Sequence, residues 1–338
     1  MLQALIEKLA RREDLSSAEA SAAMAAIMDG AVGDAALAGF LIALAMKGEQ
    51  PSEIVGLART MRDRAVQLSR EYPDAVDLCG TGGDRSGTFN VSSVASIVVA
   101  GCGVRVAKHG NRSVSSRCGS ADLFDALGVP ASAPPDLVER MLDEAGMAFL
   151  FAPVFHPSMR HAAAARQALG VRTAFNLLGP LTNPVRPRWQ IVGVPRPELT
   201  EMIARSLLLL GSERAWVVHG ADGLDEISTV GYTKVSECRH GTVNTFYVHP
   251  SDYGLARATT ESIGGGDAAT NAAIARSVVD GARGAARDIV LLNAGAALLV
   301  AGRAPNVGDG IAVAGEAIDS GRARAVLARM ASLSGGAA

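Results

Sequence analysis

The sequence predicts an α/β fold: a small all-helical domain plus a larger α/β domain whose largely parallel central sheet is covered by helices. Three observations predict it. The first 68 or so residues carry apolar positions at helical spacing with no strand pattern. After Pro73, short apolar runs end in glycine-rich turns and are followed by helical stretches. That alternation belongs to parallel sheets, whose sites gather at the carboxyl ends of the strands. From Asp267 to about Leu333 the chain is Ala-rich and again helical in pattern.

The 338 residues carry 32 Lys+Arg against 34 Asp+Glu, a net charge of −2, with 49% hydrophobic and 4% aromatic residues. Such a chain buries a substantial core and lacks the basic balance of a dedicated nucleic-acid binder. Cys79, Cys102, Cys118 and Cys238 form no C-x-x-C pair, which excludes a disulfide scaffold and a structural zinc site. The N-terminus is charged throughout, and the apolar segment Ile289–Gly302 is too short to span a membrane. A soluble, reducing, cytoplasmic setting is therefore expected. The unusual feature is glycine, 37 in all.

In order along the chain, Leu2, Leu5, Ile6 and Leu9 mark a first helix, and Ser16 to Glu19 reads as a capping box before an Ala-rich run. Gly30 and Gly33 interrupt it. Ala35–Met46 is a further apolar helix, and Pro51-Ser52-Glu53 opens one expected to run to about Leu68. Strands are expected at Ala75–Cys79, Val104–Ala107, Ala148–Phe151 and Ala215–Val218. Residues 234–249 suit a polar hairpin at the sheet edge.

Three clusters carry chemistry. Gly80-Thr81-Gly82-Gly83-Asp84 follows a strand and lets backbone N–H groups approach a phosphate, with Thr88, Asn90, Ser92 and Ser93 at the start of an apolar helix. It matches neither a dinucleotide fingerprint, because Arg85 stands where glycine is needed, nor a P-loop. By itself it also suits a tight structural turn. Lys108, His109, Asn111, Arg112, Ser113, Ser115 and Ser116 together offer what a phosphate-rich ligand needs. Asp222-Gly223-Leu224-Asp225-Glu226 is acidic and suits Mg²⁺, or a solvated turn. No zinc-protease or serine-hydrolase motif occurs, and His156 and His161 lack the intervening glutamate.

Taken together and in order, these clusters resemble the signature series of the anthranilate phosphoribosyltransferases. The likeness extends to Phe175–Pro184, to Val218-His219-Gly220, to Met46–Glu49 near the front and to Leu291–Ala294 near the end. It therefore spans nearly the whole chain. The resemblance implies transfer of the 5-phosphoribosyl group of phosphoribosyl pyrophosphate (PRPP) to anthranilate in tryptophan biosynthesis, by a homodimer joined through the helical domain. It also implies that a helical segment near 157–185 returns to the helical domain. The chain would then divide into 1–68 and an α/β part made of 73–156 and 186–338.

Residue by residue, the resemblance places PRPP on Gly80, Gly82, Gly83, Asp84, Thr88, Asn90, Ser92, Ser93, Lys108, Asn111, Arg112, Ser113, Ser115 and Ser116. Anthranilate would meet Gly80, His109, Asn111 and Arg166, the arginine pairing with its carboxylate. His109 is also the candidate catalytic group. Ser92, Asp225 and Glu226 would hold Mg²⁺, as two ions. Arg85, Ser93, Cys118 and Phe124-Asp125 depart from the family's usual residues. A pyrimidine nucleoside phosphorylase would share the architecture, but the Lys-His-Gly-Asn run and the Asp-Glu pair favour the transferase. Relatives that have turned to binding nucleic acid would carry a broad basic face and lost site residues, and this chain has neither. No nucleic-acid or membrane partner is expected.

Overall fold

The protein is described by a computed structural model covering residues 1–84, 86–113 and 117–335. Its N-terminal part is a bundle of helices α1 (Leu2–Ala10), α2 (Ser17–Met28), α3 (Asp34–Lys47) and α4 (Pro51–Asp63). Ser16 caps α2 as its sequence predicts: its hydroxyl accepts the Glu19 N–H at 3.2 Å while the Glu19 carboxylate accepts the Ser16 N–H at 2.7 Å. Gly56 lets α4 lie against α2, since a Cβ there would stand 2.3 Å from the Ser17 carbonyl oxygen. Helix α4 ends at Asp63, short of the expected Leu68, because the Val66 N–H leaves the helix to bond the Phe155 carbonyl at 2.8 Å. The Gln67 amide then caps the freed carbonyls of Arg62 and Ala65.

Among the described residues the sheet has seven strands: β1 (Val76–Gly80), β2 (Val106–Gly110), β3 (Met147–Phe151), β4 (Trp189–Gly193), β5 (Arg214–Gly220), β6 (Thr233–Arg239) and β7 (Thr242–Val248). Their order is β3-β2-β1-β4-β5-β6-β7, parallel from β3 to β5 and antiparallel beyond. The hairpin expected at 234–249 is β6–β7, turned by His240 and Gly241, both at positive φ (49° and 77°). Strand β4, beside β1 at the centre, carries no glycine-loop signal and is found only in the structure. Strands β2 and β5 also run further than their apolar cores suggest. His109 pairs with Leu150 and Gly110 with Phe151, so Lys108 and His109 lie within β2, and His219 lies within β5, rather than after them.

Helices α5 (Val91–Gly101), α6 (Ser120–Ala126), α7 (Pro135–Glu144), α8 (Ala152–Phe155), α9 (Ala163–Leu169), α10 (Leu199–Leu209), α11 (Ala268–Val279), α12 (Ala285–Val300), α13 (Val307–Asp319) and α14 (Arg322–Leu333) complete the fold. The Ala-rich C-terminal region is helical, as expected. Strand alternation splits the interior in two. Ile191, Trp216 and Val218 join a core with α5 and α12, while Val192, Ala215 and Val217 join a second core with the N-terminal bundle and α10. Ala162, Ala165 and Phe175 of the 157–185 segment belong to that second core. This segment is mostly 3-10 turns, with α9 its one α-helix. Among the described residues no helix is long and apolar enough to cross a membrane.

Candidate active site at the carboxyl ends of the parallel strands

The site is assembled from the loops that leave β1, β2 and β5. Gly82 and Gly83 take φ of +66° and +84°, a conformation that L side chains resist. The Gly82 N–H donates to Asp225 Oδ2 at 2.9 Å. Gly80 and Gly193, at the ends of β1 and β4, are glycines by close approach. A Cβ on Gly80 would lie 2.5 Å from Asp225 Oδ2, and one on Gly193 would lie 1.6 Å from the Asp225 carbonyl oxygen. The acidic loop is thereby held against the tips of two neighbouring strands.

Helix α5 begins beside it, and its Ser92 N–H donates to Glu226 Oε1 at 3.0 Å. An acid of the protein's own thus sits at a helix N-terminus, where negative charge is favoured. Lys108 is buried, 2% exposed, and its ammonium donates to the Leu78 carbonyl and to Ser92 Oγ. Its charge lowers the pKa of both Glu226 and Asp77, but burial outweighs it. Burial raises the Glu226 carboxyl to about 7 and that of Asp77 to about 6. Asp225 is raised well above the ordinary range, first by burial and then by the charges of Asp84 and Glu226. Asp84, Asp225 and Glu226 are close enough to repel one another, and a dication would relieve that repulsion. Among the described residues no three His, Cys, Asp or Glu side chains form a preformed metal cage.

The second cluster is divided. His109 is buried, and its Nδ1 meets the Gly179 carbonyl at 2.9 Å, so that nitrogen carries the proton. Nε2 is then a buried acceptor with no partner among the described residues. Burial, and next the neighbouring His156, lower its pKa to about 3, keeping the ring neutral. His156 lies edge-on at 5.4 Å, bonds the Thr182 carbonyl at 2.9 Å, and is lowered to about 4 by burial. Asn111 accepts the Arg112 N–H at 2.8 Å through its side chain. Arg112 is not free: it pairs with Asp122 and Asp125 of α6 at 2.5 and 2.8 Å. The departure at Asp125 therefore has a role, as a partner for Arg112. Asp122 also accepts the Ser113 backbone N–H. Ser115 and Ser116, like Arg85, lie outside the described residues.

Other expected residues fall at or near the site with their own structural duties. The Thr88 hydroxyl meets that of Ser86 at 3.0 Å, and Ser86 in turn bonds Asp84. Ser93 is buried beneath the start of α5. The Asn90 amide ties the Cys118 carbonyl (3.1 Å) to the Asn271 amide (2.9 Å), and the Cys118 thiol reaches Asn90 Oδ1 at 3.4 Å, as a serine hydroxyl could. Asp222 accepts from Ser228 Oγ at 2.8 Å and so shapes the acidic loop. Arg166 stacks over Phe175 at 5.6 Å, and burial lowers its pKa.

Sequence reasoning missed His156, Asn271 and Arg172. The Arg172 guanidinium donates to the Gly82 carbonyl at 2.8 Å and fills the space a Cβ on Gly83 would need, at 1.6 Å. Only residue type could have flagged it, because the contact joins positions 90 apart in the chain.

Comparison with known proteins agrees with this layout. The family model described as "Glycosyl transferase family, a/b domain" matches residues 72–324, and "Glycosyl transferase family, helical bundle domain" matches residues 3–65. The chain is 55% identical over 330 residues to an anthranilate phosphoribosyltransferase of Moorella thermoacetica, covering 98% of this chain and 97% of that protein. The crystal structure of the Thermus thermophilus enzyme of that name superposes with a TM-score of 0.92 at 43% identity, over 98% and 99% of the two chains. The Saccharomyces cerevisiae enzyme in complex with PRPP and Mg gives a TM-score of 0.89 at 29% identity, over 99% and 98%. The yeast enzyme has also been solved with 4-fluoroanthranilate.

Proposed function

Because the chain belongs to the anthranilate phosphoribosyltransferase family, we propose that it transfers the 5-phosphoribosyl group of PRPP to the amine of anthranilate. The products are N-(5-phosphoribosyl)anthranilate and pyrophosphate, in tryptophan biosynthesis. The observation that carries this reading is the convergence at the carboxyl ends of the parallel strands of a glycine loop, a buried lysine and a mutually repelling acidic loop. An anionic substrate bound with a divalent cation satisfies all three together.

In this reading PRPP lies over Gly80–Asp84 and the N-terminus of α5, with Lys108 beneath. Asp225 and Glu226, with Ser92, would supply the hard oxygen ligands that Mg²⁺ takes, as two ions, and the metal held there would neutralise charge developing on the departing pyrophosphate. The chain's own work is to hold, orient and exclude water. The amine attacks the anomeric carbon as the C–O bond to pyrophosphate breaks, through an oxocarbenium-like state. Lys108 and the Gly83 amide lie where that leaving charge grows. A neutral arylamine needs no strong base before it attacks, and neutral His109 offers Nε2 to an amine N–H. Arg166 has no acidic partner among the described residues and is available for the anthranilate carboxylate. Holding both reactants in register supplies much of the acceleration.

We assign the protein to the cytoplasm and to a homodimer joined through the helical bundle, where Met1 and Met46 are exposed at 63% and 73%. The reading is tested by following the loss of anthranilate fluorescence on mixing with PRPP and Mg²⁺. Turnover that requires all three is expected. Phosphorolysis of a pyrimidine nucleoside with no consumption of anthranilate would overturn it.

A further inference from the structure

At the amino ends of two interior strands of the sheet lies a second cationic recess that the transfer reaction does not use. It is a cavity of about 380 Å³ lined by Arg59, Arg62 and Asp63 of α4, by Arg186–Arg188 ahead of β4, and by Leu210–Ser212 ahead of β5. These residues precede the amino ends of β4 and β5, whereas the catalytic loops leave the carboxyl ends. Four arginines against one aspartate leave a net +3 on the lining side chains.

The charges of this recess are poorly matched. Arg62 is 5% exposed and among the described residues touches no carboxylate. Its Nε donates to the Leu181 carbonyl at 2.6 Å and its Nη1 to the Leu210 carbonyl at 3.3 Å. Its Nη2 is buried and has no partner among the described residues. A buried guanidinium N–H left unpaired costs free energy that an acceptor would recover. Arg59 has no hydrogen-bond or ion-pair partner among the described residues. Arg188 stands 3.8 Å from Glu213, beyond hydrogen-bond reach, and only Arg186 has a close acid, Asp63 at 3.0 Å. Arg186 is a non-glycine residue held at φ +52°, a backbone state that the Asn183–Arg186 turn bond at 3.0 Å maintains.

We propose that this cavity is a binding site for a phosphoryl group, carried by free phosphate or by a small phosphate monoester. The guanidinium fork is the side chain that matches such an oxyanion with paired N–H donors. The volume is that of a small-ligand site. Its walls come from two parts of the chain, α4 of the bundle and the strand-leading loops of the sheet, so a bound anion would brace the one against the other. Arg62 already touches Leu181, two residues from the Gly179 carbonyl that holds His109. The site is independent of the transferase reading and stands or falls separately.

The test is calorimetric titration of the full-length protein with inorganic phosphate, and in parallel with glycerol 3-phosphate, at constant ionic strength in chloride. The wild type is expected to show one class of sites more than the R59Q/R188Q variant, whose affinity at this cavity falls at least about tenfold while kcat and the KM for PRPP stay unchanged. Asp63→Asn removes the acid competing for Arg186 and should tighten binding several-fold, a gain that misfolding cannot produce. Tighter glycerol 3-phosphate than phosphate assigns a monoester as the ligand, and equal affinities assign free phosphate. Identical isotherms for wild type, R59Q/R188Q and Asp63→Asn overturn the proposal.

Discussion

The two ends of the parallel strands handle buried charge in opposite ways. At the carboxyl end, Asp84, Asp225 and Glu226 crowd together with Lys108, and burial raises Asp225 and Glu226 far from their ordinary acidity. At the amino end, arginines are placed beside backbone carbonyls or within reach of single exposed acids. Strand β2 shows the contrast over three residues. Arg105, just before it, pairs with Asp74 at 2.6 Å and lies over Tyr72, partly in solvent. Lys108, within it, is buried against a carbonyl and a hydroxyl. Charge that serves only the fold is paired at the surface, whereas charge left unsatisfied inside is charge waiting for a ligand.

The largest effect should come from removing the crowded acids. Replacing Asp225 and Glu226 together by alanine is expected to lower Mg²⁺-dependent kcat by about 10³-fold or more, measured by anthranilate fluorescence. Full activity in that variant would end the metal assignment. Next, Arg166→Ala should raise the KM for anthranilate about tenfold, the loss of one charge-assisted contact, with little change in the KM for PRPP. Equal effects on both substrates would remove its assigned role.

A third comparison is thermal. His109 and His156 have folded-state pKa values of about 3 and about 4, below the ordinary 6.5. Their contribution to stability is therefore complete above pH 6.5 and is lost as the pH falls through about 4, because the unfolded chain takes up protons the fold refuses. Asp77, raised to about 6, acts with the opposite sign, so the histidine effect is read as a difference. Between pH 6.5 and 4.5 the Tm of the wild type should fall by several degrees more than that of His156→Gln. Parallel curves would contradict the buried neutral pair. The smallest effect belongs to the amino end, where Arg105→Gln should cost less than about 1 kcal/mol in denaturant unfolding and leave kcat unchanged.

Much of the site was legible because its parts are local in the chain. Gly80–Asp84 and Asp225-Glu226 announce themselves by residue type, and the family likeness orders them. What could not be read is who partners whom. Arg112 reads as an anion ligand, yet Asp122 and Asp125 hold it on α6. Asn90 reads as a ligand, yet its amide joins Cys118 and Asn271, residues 28 and 181 positions away. Strand β4 has no flanking glycine loop and shows itself only by pairing with β1 and β5.

By itself the sequence determined the fold class, the helical start, the edge hairpin and the chemical character of each loop, because periodicity and residue type act over short separations. The tertiary structure alone decided that Asp225 is pressed onto Gly80 and Gly193, that Arg172 covers Gly83, and that four arginines line a cavity at the amino ends of the strands. Those facts depend on contacts between residues distant in the chain. Burial there turns ordinary carboxyl, imidazole and guanidinium groups into ones with shifted acidity and unmet hydrogen bonds.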